Sequence, residues 1–271
     1  MIPRDYITEW RAVAPWVQDL QVEQDLVISR ALIALFSNPD IAASLAFRGG
    51  TALFKLFLTP AARYSEDIDL VQKQAEPIGP IMSCIHGVLD SWLGKPQWKQ
   101  SQGRVTLSYR FESEDSPPIR LKLKLEVNSR EHFAVLGYQN VPFAVESRWF
   151  SGRADIPTFH LDELMGTKLR ALYQRKKGRD LFDLWHAHRG GQVNPHQVVA
   201  CFRQYLMAEG KAVSRAEFEQ NLAEKARDRN FVSDLLPLLA TGIDWDFDMA
   251  LEFVRHRLLT LLPGEPWKRP S

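Results

Sequence analysis

Cysteine is scarce in this sequence: Cys84 and Cys201 are the only two in 271 residues, and neither sits in a Cys-x-x-Cys pair or a Cys/His cluster. That excludes a disulfide framework and a zinc centre as organising features, and both thiols are expected to be buried. Long apolar runs are missing as well. ALIALF and LFKLFL are the longest, the second interrupted by its own lysine, so nothing approaches the ~20 residues of a membrane span. The opening MIPRDYITEW has no basic start followed by an apolar core, so a secretory leader is not expected either. Repeats, low-complexity tracts and a large charge excess are absent too. With 45% hydrophobic and 25% charged residues, the chain reads as a cytoplasmic globular protein of one large or two ordinary domains.

The near-neutral net charge of +1 conceals an asymmetry. Between Arg148 and Lys211 there are 11 Lys/Arg against 6 Asp/Glu, a local +5. A phosphate-bearing partner would meet that segment, although a solvated helix face accounts for the same charges.

Hydrophobic periodicity predicts a helix over Val17 to Phe36, stopped by Asn38-Pro39. A short strand ending at Phe47 then leads through Gly49-Gly50 into a helix over Thr51 to Leu58. A second strand, Asp67 to Val71, puts Asp67 and Asp69 on one face and Ile68 and Leu70 on the other. After a helix from Pro80 to Leu93, Arg104 to Phe111 and Ile119 to Asn128 alternate in polarity and predict an antiparallel pair joined by a turn over Ser113 to Pro118; Phe143 to Trp149 is a further candidate strand. From Leu161 onward only helices are expected: Leu161 to Arg175, Asp180 to His188, Pro195 to Glu209, one opening on the capping-box pattern Ser214-x-x-Glu217, and Asp248 to Leu262. The reading is therefore an α+β domain over residues 1–155 and an all-helical domain over 156–271, with the boundary near Asp155 to Pro157.

Two aspartates one residue apart on a strand project together, the arrangement a hard divalent cation wants. Glu126, on the polar face of another strand, is a candidate third carboxylate that would complete a site for two metal ions clamping a phosphoryl transfer; alternatively it is the partner of a lysine, with Lys122 and Lys124 beside it. Gly49-Gly50-Thr51, between strand and helix, offers backbone N–H groups to phosphate, or is only a turn. Arg63 and Ser65 lie just upstream of Asp67, as phosphate contacts or as loop residues. Further on, Leu161, Leu164, Met165, Leus 169 and 172 form one apolar helical stripe with Lys168 near its centre. A lysine placed there must reach a carboxylate, a phosphate or a cleft, or snorkel past the stripe's edge. The segment RKKGRDLFDLW then gathers Arg175, Lys176, Lys177 and Arg179 ahead of Asp180 and Asp183, which equally suit the dipole of the next helix.

Taken in order, FRGGTALFKL, RYSEDIDL, LKLKLEVN and KLRALYQRKKGRDLFDLW resemble the AbiEii/AbiGii toxin family of nucleotidyltransferases. The resemblance implies a nucleotidyltransferase-fold mixed sheet flanked by helices and followed by a helical C-terminal domain. It implies nucleotide transfer from an NTP with release of pyrophosphate, assisted by Mg²⁺, with the 3′ end of tRNA as acceptor. It further implies Gly49, Gly50 and Thr51 as the phosphate-holding turn, Asp67, Asp69 and Glu126 as metal ligands, Lys168 and Asp180 as catalytic residues, and Arg175 and Arg179 as triphosphate contacts. Ser65 would join the nucleotide contacts, and its phosphorylation by a cognate antitoxin would switch the enzyme off. Transfer to an aminoglycoside-like small molecule or a protein hydroxyl, and non-catalytic binding of RNA or a partner, are the competing expectations.

Overall fold

A computed structural model describes residues 2–114 and 117–268. The chain divides after Phe159 into two compact units. The boundary expected near Asp155 to Pro157 falls a few residues earlier, inside a strand.

The first unit runs α1 (Arg4–Trp10), α2 (Asp19–Phe36), α3 (Pro39–Ser44), β1 (Leu45–Arg48), α4 (Gly49–Ala52), β2 (Asp67–Gln72), α5 (Gly79–Leu93), β3 (Gln97–Ser101), β4 (Arg104–Glu112), β5 (Arg120–Asn128), β6 (Tyr138–Glu146) and β7 (Ser151–Phe159). A π-helical segment, Leu53–Phe57, prolongs α4. The seven strands form one mixed sheet in the order β3-β4-β5-β2-β1-β7-β6. Strands β4 and β5 pair antiparallel as their alternation predicts, while β2 runs antiparallel to β1 and parallel to β5. The turn expected over 113–118 includes residues 115 and 116, which lie outside the described residues.

Alternation sorts the sheet's faces. Ile68, Leu107, Leu123, Leu125 and Val127 are fully buried, whereas the intervening Asp67, Asp69, Thr106, Lys124 and Glu126 are half-exposed. Helices α2 and α5 pack on the sheet, α2 against β5, β6 and β7 and α5 against β4. Helix α2 is buried nearly all round, so its polar residues need internal partners. Gln24 Nε2 donates to the Lys122 carbonyl at 2.9 Å. Asp25, 2% exposed, accepts from the Trp10 indole at 2.9 Å, the Trp16 indole at 3.2 Å and Lys55 Nζ at 2.6 Å. One carboxylate thereby ties the N-terminal segment and the helix after the glycine turn to α2.

The strand expected over Phe143 to Trp149 is in fact a hairpin, β6 turning at 147–150 into β7. Pro142 and Pro157 hide both strands from a sequence reading. Proline is tolerated in β6 because that strand is an edge, and in β7 because its ladder to β1 is reduced to the pair Phe47 and Thr158. There the Thr158 hydroxyl donates to the Phe47 carbonyl at 2.7 Å. Cys201 is buried and Cys84 only half-buried.

The second unit is helical: α6 (Leu161–Gln174), α7 (Gly178–Arg189), α8 (Pro195–Ala208), α9 (Arg215–Ala226), α10 (Arg229–Ser233) and α11 (Phe247–Phe253), the last continuing into a π-helical segment, Val254–Leu258. The predicted capping box is formed: the Glu217 carboxylate accepts from the Ser214 N–H at 2.7 Å, and the Ser214 hydroxyl accepts from the Glu217 N–H at 3.3 Å. Among the described residues no helix is long and apolar enough to cross a membrane.

The clasp at Asp25 gives a stability prediction. Asp25→Ala strands a largely buried Lys55 and two indole N–H groups, and is expected to cost about 3 kcal/mol in urea unfolding; Asn at this position, keeping two acceptor sites, should cost less.

Candidate active site

In the first unit the expected residues come together because of strand register. Residues directly opposite one another in a ladder point to the same face. Arg48 stands opposite Asp69, Asp69 opposite Glu126, and Glu126 opposite Thr106, while Asp67 stands opposite Lys124. The polar face therefore carries two lateral rows at the point where β1 ends and the glycine turn begins. Arg48 Nη1 donates to Glu131 Oε2 at 2.6 Å, and Asn128 Nδ2 to the same oxygen at 3.3 Å.

Gly49 has φ +85°, the left-handed region where a side chain is strained. A Cβ there would lie 2.3 Å from Asp69 Oδ2, so the turn and the aspartate fit together only because the glycine has none. A Cβ on Gly50 would meet Arg63 Nη2 at 2.6 Å and Ser65 Oγ at 3.0 Å. The Thr51 hydroxyl donates to the Asp67 carbonyl at 2.6 Å and lies 2.9 Å from the Ser65 hydroxyl. Through these contacts the turn, Ser65 and the start of β2 are held as one piece. Arg63 is not a surface loop residue: it is 2% exposed, stacks over Phe54 at 4.9 Å and donates to the Tyr64 carbonyl at 3.0 Å.

Asp67 and Asp69 share a face beside this turn and fit one hard cation whose other ligands are phosphate oxygens. Glu126 is engaged differently. Lys124 Nζ lies 3.1 Å from Glu126 Oε1 and 3.2 Å from Asp67 Oδ2, and Arg104 Nη1 is 3.8 Å from the same Glu126 oxygen. Burial opposes charge on Lys124, yet Asp67 and Glu126 outweigh it and raise its pKa. Among the described residues no three His, Cys, Asp or Glu side chains converge on one metal position.

In the second unit Lys168 reaches carboxylates. Its Nζ is 2.8 Å from Asp183 Oδ2 and 3.3 Å from Asp180 Oδ1, with both aspartates fully buried and the lysine side chain 8% exposed. Arg175 closes a bidentate pair on Asp180, Nε to Oδ2 at 2.7 Å and Nη2 to Oδ1 at 2.8 Å, while half of its side chain stays in solvent. Burial alone would push the Asp180 pKa up, but Lys168 and Arg175 offset it and hold the carboxyl below its ordinary 3.8. The other basic residues of the segment face acids: Lys176 with Asp228 at 3.3 Å, Lys177 with Asp234 at 3.1 Å, and Arg179 with Asp234 at 4.0 Å. A Cβ on Gly178 would lie 2.1 Å from the Phe231 carbonyl, so α7 can begin against α10 only at a glycine.

One pairing and one contributor were not foreseen. Asp183, expected only as an acid suited to the helix dipole or to the site, is the nearer partner of Lys168, and its spacing of three from Asp180 on a helix was the available signal. Lys225 is buried and donates to the Leu172 and Tyr173 carbonyls, capping α6 just before Arg175; burial pushes its pKa down to about 8. No local pattern around Lys225 announces that role.

This architecture has recognisable relatives. The fold is similar to that of MenT4, a nucleotidyltransferase toxin from Mycobacterium tuberculosis, at TM-score 0.67 and 16% identity over 97% of this chain and 91% of that one. It is also similar to JHP933 from Helicobacter pylori, at TM-score 0.57 and 16% identity over 91% and 93% of the two chains. Among curated proteins none matches. A mixed sheet with a glycine turn, an Asp-x-Asp strand and a helical C-terminal unit defines a nucleotidyltransferase fold. Residues 30–253 match the model of the nucleotidyl transferase AbiEii toxin of type IV toxin–antitoxin systems, and the chain belongs to that family. Membership implies an NTP as substrate and a cognate antitoxin.

Two outcomes are expected. Gly49→Ala should destabilise the fold by about 1–2 kcal/mol through the left-handed backbone and displace Asp69, lowering nucleotidyl transfer by more than tenfold. Because the folded-state pKa of Asp180 is depressed, its stabilising contribution is present at neutral pH and lost as pH falls below about 4. Asp180→Asn should therefore cost about 3 kcal/mol at pH 7, and urea unfolding should show that difference shrinking toward pH 3.

Proposed function

We propose that this chain transfers a nucleotide from an NTP to the 3′ end of tRNA, blocking translation and growth. The observation that supports it most is the joining of the Gly49 to Thr51 turn to the Asp67 and Asp69 face, within a chain of the AbiEii family. Gly49, Gly50 and Thr51 would receive the triphosphate on backbone N–H groups at the start of α4. A Mg²⁺ held by Asp67, Asp69 and phosphate oxygens would supply charge neutralisation and alignment of the transferred phosphorus. Arg175 and Arg179, each partly in solvent, would offer positive charge to phosphates. Lys168 and Asp180 would act mainly by holding Arg175 in place, since both are buried and paired with one another.

Control by the antitoxin would act at Ser65. A phosphate there adds roughly −1.5 to −2 charge beside Asp67, and would separate the Ser65 and Thr51 hydroxyls that now lie 2.9 Å apart.

Asp69→Ala should abolish NTP-dependent labelling of tRNA and leave the circular dichroism spectrum unchanged. The purified chain is offered each labelled NTP with total RNA, protein extract or aminoglycosides. Label appearing only on protein or drug would transfer the reading to those acceptors, and labelling retained in Asp69→Ala would falsify the site.

A further inference from the structure

Lys124 stands within the carboxylate face rather than beside it. Two facts of backbone geometry force this position. On β5, Lys124 and Glu126 are two residues apart and share the polar face; on β2, Asp67 and Asp69 do the same. The parallel register then sets Lys124 opposite Asp67 and Glu126 opposite Asp69. The result is a square of three acids and one base, in which the ammonium lies 3.2 Å from Asp67 Oδ2 and 3.1 Å from Glu126 Oε1.

Those are the two oxygens that a cation bridging β2 and β5 would take. Lys124 is tethered to β5 by its own stem, so an ion entering there would have to push the ammonium aside and still feel it at the reach of four carbons. Two positive charges at that separation repel strongly in a half-buried site. Asp69 is directed differently, with its Oδ2 packed over Gly49. The face is thereby divided: the glycine-turn side belongs to Asp69, and the β5 side to Lys124. A purely structural pairing accounts poorly for the arrangement, because ion pairs as exposed as these, with Lys124 at 27% and Asp67 at 36%, contribute little to stability.

We infer that Lys124 is the resident cation of this face. Its ammonium fills the second cation position between Asp67 and Glu126, so the chain takes one divalent ion, on Asp67 and Asp69, and Glu126 serves as the partner of Lys124. The inference rests on the nucleotidyl-transfer reading and refines it: Lys124 is a positioning residue for Asp67, and the number of metal ions becomes a property fixed by a side chain.

The test counts Mn²⁺ by electron paramagnetic resonance, titrating the full chain in the presence of one equivalent of an NTP analogue whose α,β bridge is a methylene. The expected result is one ion per chain–nucleotide complex in the wild type, two in Lys124→Met, and one again in Lys124→Arg. Lys124→Gln is a second neutral variant, also expected to hold two, should the methionine protein aggregate. Two ions in the wild type, or a single ion in a folded neutral variant, would overturn the inference while leaving nucleotidyl transfer standing. A wild type that holds its single Mn²⁺ no more tightly than the nucleotide does in the same titration without the chain would overturn the metal face altogether, and with it the transfer reading.

Discussion

The parallel pairing of β2 with β5 is the constraint on which the rest depends. A shift of one residue in that register would turn Lys124 and Glu126 to the core and place Leu125 beside the aspartates. The register is specified from the buried side: Ile68, Leu70, Leu125 and Val127 are at most 1% exposed, and α2 packs against the face they form. The charges thus owe their arrangement to apolar residues that never touch them. The same logic extends to β1, whose pairing with β2 delivers Arg48 beside Asp69 and ends where the glycine turn must begin.

The second unit solves a different problem. A lysine at the centre of an apolar stripe is costly unless its charge is met, and here two fully buried aspartates meet it. The second of Asp180's cationic partners is an arginine that spans the boundary between interior and solvent. Burial of the network gives it rigidity, and the exposed half of Arg175 is the part that can meet a ligand. Lys225, donating to the last carbonyls of α6, fixes the point from which the arginine departs.

Much of this was legible in the sequence. Strict alternation in Arg104 to Phe111 and Ile119 to Asn128 predicted strands that the structure contains, and the Ser214-x-x-Glu217 pattern predicted a cap that forms. Local signals of this kind survive folding because they depend on neighbours within a few residues. The misreadings were non-local. Pro142 and Pro157 look like strand breakers until an edge position and a shortened ladder excuse them. Glu126 is not a misreading but an open choice, between a cation from outside and the lysine on its own strand, that depends on side-chain reach across a register that alternation alone does not set. Arg63, which looks like a surface arginine in the loop before β2, is buried because Phe54 arrives beneath it from a helix placed by the glycine turn.

Gly178 carries a consequence of its own. Where the chain passes the Phe231 carbonyl there is no room for a single methyl group, so the basic segment is moored at that end, as it is at the other by the Arg175 pair with Asp180. A stretch moored at both ends can exchange its cargo but not its course. Drift along this lineage can alter which cations the segment displays and how the acids flanking α10, Asp228 and Asp234, answer them, while an insertion would have to tear the mooring loose.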